Sequence, residues 1–167
     1  MNTVCTPIRY FVSPSRGASM NDTIIRETLE RLQAEIDPVT RIRLVPDRAA
    51  LNAALAAFER CAVEPLRQPG LLAVYALLDA ALARHAEPIR LDDPQLTRRI
   101  LDGDYLYSLY VQYALKCREE SLLRGLAPFV KKVQIARALG RSAEIALLPA
   151  FERALADAKE AGPHEPA

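Results

Sequence analysis

Residues 71–86 read LLAVYALLDAALARHA, and this run decides the fold class. Asp79 is its first charged residue, so a helix here is apolar on nearly every face over its first two turns. A surface helix confines its apolar residues to one stripe, whereas a helix that is apolar all round belongs in the centre of a bundle. The bias extends to the whole chain. Of 167 residues, 27 are Ala and 24 are Leu, a composition that favours helix over sheet. The expectation is an all-α protein of about six helices, folded as one domain over residues 21–160.

Outward from that central run, the boundaries follow from caps and prolines. Upstream, Asp47 follows Pro46 and is placed to cap a helix through DRAALNAALAAFERCA, whose Ala-rich face permits close approach by a neighbour. Pro65 and Pro69 are expected to break the chain before Gly70. Further upstream, Asn21 or Asp22 is the expected start of a helix whose Ile25, Leu29, Leu32 and Ile36 form one apolar stripe, ended at Pro38. Residues 1–20 hold prolines, serines and Gly17 without a sustained period and read as an extended or poorly ordered, flexible arm. Downstream, EPIRLD reads as a linker, and Asp93-Pro94 as an N-cap followed by proline at the first helical position. That helix should reach about Cys117, with Gly103 inside it. The next should run from about Glu120 to Leu139 and stop at Gly140, a C′ glycine. Ser142 is placed to cap a last helix running toward Lys159 with a kink at Pro149, and residues 161–167 read as a disordered tail.

Composition excludes several classes of function. The chain carries 22 Lys+Arg against 21 Asp+Glu, so it lacks the cationic excess by which nucleic-acid binders neutralise phosphates. Its two histidines are His85 and His164, too few for a His-rich metal site or a His-based triad. Cys5, Cys61 and Cys117 lie far apart, which suits reduced cytosolic thiols better than a disulfide framework or a zinc ligand pair. No apolar run reaches the roughly 18–20 residues of a membrane span, and the start lacks the pattern of a signal peptide. The expected location is the cytoplasm.

The most unusual local feature is residues 101–115, LDGDYLYSLYVQYAL, which hold four of the six tyrosines, at 105, 107, 110 and 113. On a helix Leu106, Tyr110, Tyr113 and Cys117 share a face, with Tyr107 leaning toward Tyr110. Buried phenols each want a hydrogen-bond partner, and tyrosine is enriched at protein–protein interfaces. Two readings stand: an aromatic core with some exposed rings, or an interface with another chain.

Ile100-Leu101-Asp102-Gly103-Asp104-Tyr105-Leu106-Tyr107 resembles the vLxGDYLya signature of the trans-isoprenyl diphosphate synthases. The following ALKCREESLLRGLAPFVKKVQ is similar to that family's next segment, and Ala76-Leu77-Leu78-Asp79 lines up with its LiHDD helix, so the resemblance covers about residues 70–140. Catalytic members carry an aspartate-rich DDxxD motif whose carboxylates hold Mg²⁺ against the allylic diphosphate; hard, spaced oxygen ligands are what that ion needs. Here the corresponding stretch is Asp79-Ala80-Ala81-Leu82-Ala83, with one aspartate where three are required, and the basic run beyond it is reduced to Arg84 and Arg90. Asp92-Asp93 lacks a third carboxylate, and Asp93 is better used as an N-cap.

The pattern therefore resembles the small, non-catalytic component of the two-component bacterial heptaprenyl or hexaprenyl diphosphate synthases, which serve menaquinone side-chain and isoprenoid biosynthesis. That resemblance implies a truncated isoprenoid-synthase-type bundle, no catalytic group or metal of its own, and a heteromeric complex with a large catalytic subunit that holds Mg²⁺. It also implies interface candidates at Gly103, Asp104, Tyr105, Tyr107, Tyr110 and Tyr113. Gly103 would let a neighbouring helix approach closely. Asp104 is either a bonding partner for an amide or phenol or an ordinary exposed carboxylate. Leu71, Val74, Tyr75 and Leu78 are candidates either for lining an apolar tunnel that sets product length, touching the prenyl product, or for plain core. Two alternatives are a self-associating helical ligand-binding or regulatory module, and a degenerate enzyme using Asp79, Asp92 and Asp93.

Overall fold

The computed structural model describes residues 19–86, 92–141 and 146–160. Among them are six α-helices and no strand: α1 (Met20–Glu35), α2 (Arg48–Arg60), α3 (Gln68–Ala86), α4 (Leu96–Lys116), α5 (Glu120–Ala138) and α6 (Leu147–Glu160). A 3₁₀ turn at Pro38–Thr40 follows α1. The all-α expectation holds. Most of the expected arm (residues 1–18, with Cys5), the linker stretch 87–91 with Arg90, Ser142 and the tail 161–167 lie outside the described residues.

The apolar run becomes the hub. Residues 71–78 of α3 are buried without exception, and α3 packs against α1, α2 and α4. Each leucine so removed from water contributes on the order of 2 kcal/mol. Helices α5 and α6 pair with each other, α6 closes on α2, and α4 leads into α5. Phe151 on α6 locks this second layer to the first: its ring meets Tyr75 of α3 edge-on at 5.3 Å and lies 6.1 Å from Phe58 of α2. Gly125 on α5 lets α6 come close, because a Cβ there would sit 2.9 Å from the Ala154 Cβ and 3.2 Å from its backbone Cα. No described helix is long and apolar enough to cross a membrane.

Several ends differ from expectation for local reasons. Helix α1 starts earlier, because Ser19 caps it: the Asp22 amide donates to the Ser19 hydroxyl at 3.2 Å and the Asp22 carboxylate accepts from the Ser19 amide at 3.4 Å. Pro69 and Gly70 do not break the chain; they lie in the first turn of α3, where proline's missing N–H costs nothing. Asp93 caps a turn rather than α4 itself. Its carboxylate accepts from the Gln95 amide at 2.8 Å and takes the Arg99 guanidinium at 2.6 Å, and α4 begins only at Leu96. Pro149 sits in the first turn of α6 rather than at a mid-helix kink.

The C-terminal ends of α2, α4 and α5 share one closure. In each, paired backbone bonds seal the last turn around a left-handed residue: Ala62 (φ 51°), Arg118 (φ 58°) and Gly140 (φ 66°). Only the last carries the glycine that makes such an ending readable. Asp47 does cap α2, accepting from the Ala49 amide at 2.8 Å.

Candidate functional site

The residues singled out by sequence lie along the antiparallel pair of α3 and α4. Leu106, Tyr110 and Ala114 turn inward from α4, and Leu71, Leu78 and their neighbours face them within the core. The two helices approach closely at both ends, and a glycine marks each. At the start of α3, a Cβ on Gly70 would lie 3.2 Å from the Cys117 sulfur. At its finish, a Cβ on Gly103 would lie 2.6 Å from Nε2 of His85. Gly103 therefore has a role inside this chain: it makes room for the imidazole of the facing helix.

Charge closes the first end. Arg67, in the turn before α3, reaches the α4–α5 turn and donates two hydrogen bonds to Glu119, Nε at 3.0 Å and Nη2 at 2.8 Å. The Glu119 side chain is 8 % exposed and the Arg67 side chain 46 %. That hydrogen-bonded carboxylate holds the Arg67 guanidinium above its ordinary value, outweighing the opposite effect of burial. Bidentate guanidinium–carboxylate geometry fixes direction as well as distance, so this pair ties the α4–α5 turn to the start of α3.

The second end carries the Gly-Asp-Tyr motif. The exposed Asp104 carboxylate lies 3.3 Å from Nε2 of His85. The Tyr105 hydroxyl accepts a hydrogen bond from the Asp37 amide at 2.9 Å, and Arg98 donates to the Thr40 carbonyl at 2.7 Å, so the turn after α1 is fastened to the first half of α4. Among the interface candidates, Gly103 and Tyr110 are buried, Tyr105, Tyr107 and Tyr113 are half-buried, and Asp104 is exposed. Tyr110 is 2 % exposed and its ring lies 5.5 Å from that of Tyr107. Burial, with the nearby Tyr107 phenol adding to it, raises the Tyr110 phenol well above its ordinary value. It stays neutral at any physiological pH.

The tunnel candidates Leu71, Val74, Tyr75 and Leu78 are all buried in the packed core. The Tyr75 phenol is pushed up to about 12 by burial, with the Asp79 and Asp47 carboxylates adding to it. Asp79 is itself held above its ordinary value by burial first and by Asp47 second. It is thus a half-buried acid whose charged form is disfavoured by burial and by one nearby carboxylate. Among the described residues no group of three or more His, Cys, Asp or Glu side chains is arranged to hold a metal ion. Cys61 and Cys117 are not joined in a disulfide.

Sequence reasoning missed an open groove of about 270 Å³ beside the second end. Its walls are Leu44, Val45, Ala80, Ala83 and Leu106, and Arg43 and Arg84 stand at its edge. The extended segment 41–47 brings these together with α3 and α4. Nothing periodic marks that segment in the sequence, so only the fold assembles the groove. The Arg67–Glu119 pair was missed for the same reason, being 52 residues apart in sequence. No family model matches the chain, and neither a curated protein nor a solved structure does.

Proposed function

We propose that this chain is the non-catalytic subunit of a heteromeric long-chain trans-polyprenyl diphosphate synthase. It binds a DDxxD-bearing catalytic subunit, which supplies the Mg²⁺, and helps set its activity and product chain length. The observation that carries the reading is the placement of Gly103-Asp104-Tyr105-Leu106-Tyr107 on the longest described helix, after α3 with its buried apolar run 71–78 and before α5. That order matches the order in which the resembling segments follow one another along the sequence.

The geometry gives the motif residues separate tasks within this reading. Gly103 and Tyr110 hold α4 against α3 from inside the chain. Within this reading the partner meets the exposed Asp104 and the outer edges of the half-buried Tyr105, Tyr107 and Tyr113. Their rings pack on the core, and Tyr105 is already bonded to the Asp37 amide. Tyrosine suits such a place, since the ring packs on apolar surface while the hydroxyl keeps a polar contact. The test is to co-express this chain with a full-length DDxxD-bearing prenyl diphosphate synthase, preferably one from the same genome. Co-purification, with Mg²⁺-dependent chain elongation only in the mixture, is the expected result. Prenyl transfer by this chain alone, or no complex and no change in the partner's activity, overturns the reading.

A further inference from the structure

Beyond its first residue, the exposed Glu120, the outward face of α5 carries charge of one sign only. Residues 121–141 hold five of the chain's 22 cations, Arg124, Lys131, Lys132, Arg137 and Arg141, and none of its 21 acids. The rest of the chain is therefore net negative, and its positive charge is gathered here. Arg124, Lys131, Lys132 and Arg141 are exposed and make no ion pair among the described residues. By contrast α1 exposes both signs and pairs them, Arg26 with Glu30 at 3.4 Å.

Between these cations the exposed surface is apolar. Ile135 is 50 % exposed and Leu139 is 60 % exposed. At 100° per residue Arg124, Lys131, Ile135 and Leu139 fall within one sector of the helix, opposite the buried Leu122, Leu126 and Val133. The helix thus has two apolar sides: one packed into the bundle, and one lying open among lysines and arginines. Gln134 is the one uncharged polar side chain exposed between Arg124 and Arg141.

We propose that this face binds the surface of an anionic lipid bilayer, with α5 lying in the headgroup plane. Charge complementarity selects the occupant. Lysine is depleted from the cores of protein–protein interfaces, yet Lys131 and Lys132 stand here beside Ile135. A bilayer surface accepts such a mixture, because lysine stems lie along apolar surface while their ammonium groups reach the phosphates. Uncharged polar side chains and hydrogen-bond acceptors are nearly missing from the face beyond Glu120, Gln134 apart. This inference is independent of the prenyl-synthase reading and uses different residues.

The test is flotation of the full chain with two kinds of vesicle, phosphatidylcholine alone and phosphatidylcholine containing phosphatidylglycerol. Binding only to the anionic vesicles is expected, with release as added salt shortens the Debye length from about 10 Å toward about 3 Å. The double variant Lys131→Ala/Lys132→Ala should lower the partition coefficient roughly thirty-fold, at about 1 kcal/mol for each basic residue near an anionic surface. Ile135→Ser/Leu139→Ser should also weaken binding, since the apolar face contributes. Both pairs are exposed, so the thermal melt should stay close to wild type. The control Arg31→Ala/Arg41→Asn removes two exposed cations outside α5 and should leave binding intact. Equal loss in the control, equal binding to neutral vesicles, or no binding at low salt overturns the proposal. The last result would leave an acidic protein surface as the occupant.

Discussion

The two ends of the α3–α4 pair solve the same packing problem differently. At the first end Gly70 meets the Cys117 sulfur, a sealed turn runs through Arg118, and the Arg67–Glu119 pair satisfies a nearly buried carboxylate. At the second, Gly103 meets a largely buried histidine ring, while Asp104 and the Arg43 of the groove are exposed to solvent. The first end has its charges committed inside the chain and serves stability. The second is held by a side chain that can swing, and it carries the motif on which the functional reading rests.

The largest expected effect falls on the first end. Arg67→Ala strips the partner from a carboxylate that is 8 % exposed. Breaking a fully buried pair costs about 3–5 kcal/mol; Arg67 is half in solvent, which screens the pair and lowers the expectation to about 2 kcal/mol. A thermal melt should register this as a drop of roughly 4–8 °C. An unchanged melt would show that the first end is no firmer than the second.

Next comes the second end, where the sign of one substitution depends on another. Gly103→Ala gains about 1 kcal/mol of helix propensity, but its methyl collides with His85 and should leave the protein less stable by about 1 kcal/mol. In a His85→Ala background the collision is gone, and the same Gly103→Ala should stabilise by about 1 kcal/mol. Denaturant titration of the four proteins measures the coupling; additive changes would mean that the ring does not set the helix spacing. On α5, Gly125→Ala meets the Ala154 Cβ at 2.9 Å and its backbone Cα at 3.2 Å, so Ala154→Gly should relieve the nearer contact and rescue the substitution only in part.

A smaller effect is expected at the left-handed residues. Arg118→Gly at the first end and Arg41→Gly near the second, where φ is 55°, should each stabilise by about 1 kcal/mol, because a Cβ is disfavoured there. The smallest concerns Asp79, midway along α3. Its folded pKa is raised by burial and by Asp47, so the folded state favours the protonated form. Stability from this group is highest below its unfolded pKa and falls as pH rises through the folded value. Asp79→Asn should therefore stabilise at neutral pH and make no difference below about pH 3.8, the ordinary carboxyl value. Melts at both pH values check the sign.

What could be read in the sequence was what local chemistry specifies. The uninterrupted apolar run 71–78, the Asp47 cap and Gly140 each act over one or two turns, and each appears in the fold as expected. The ends at Ala62 and Arg118 have the same closure as Gly140 but no glycine to signal it. Ser19 is harder to single out because Asn21 and Asp22 beside it are equally good caps, and Asp22 supplies the other half of the capping box. Of the candidate site, the motif on α4 was legible as a helix with many tyrosines. Which of those tyrosines face inward was not, because that depends on where α3 lies. The groove and the Arg67–Glu119 pair were out of reach, since both join residues tens of positions apart.

The central claim is most directly tested by titrating this chain into a fixed amount of a DDxxD-bearing catalytic subunit and following Mg²⁺-dependent incorporation of isopentenyl diphosphate. If this chain is that subunit, neither chain alone makes long product, and activity rises with added chain and saturates. Prenyl transfer by this chain without the partner, or a partner whose rate and product length ignore it, would contradict the account.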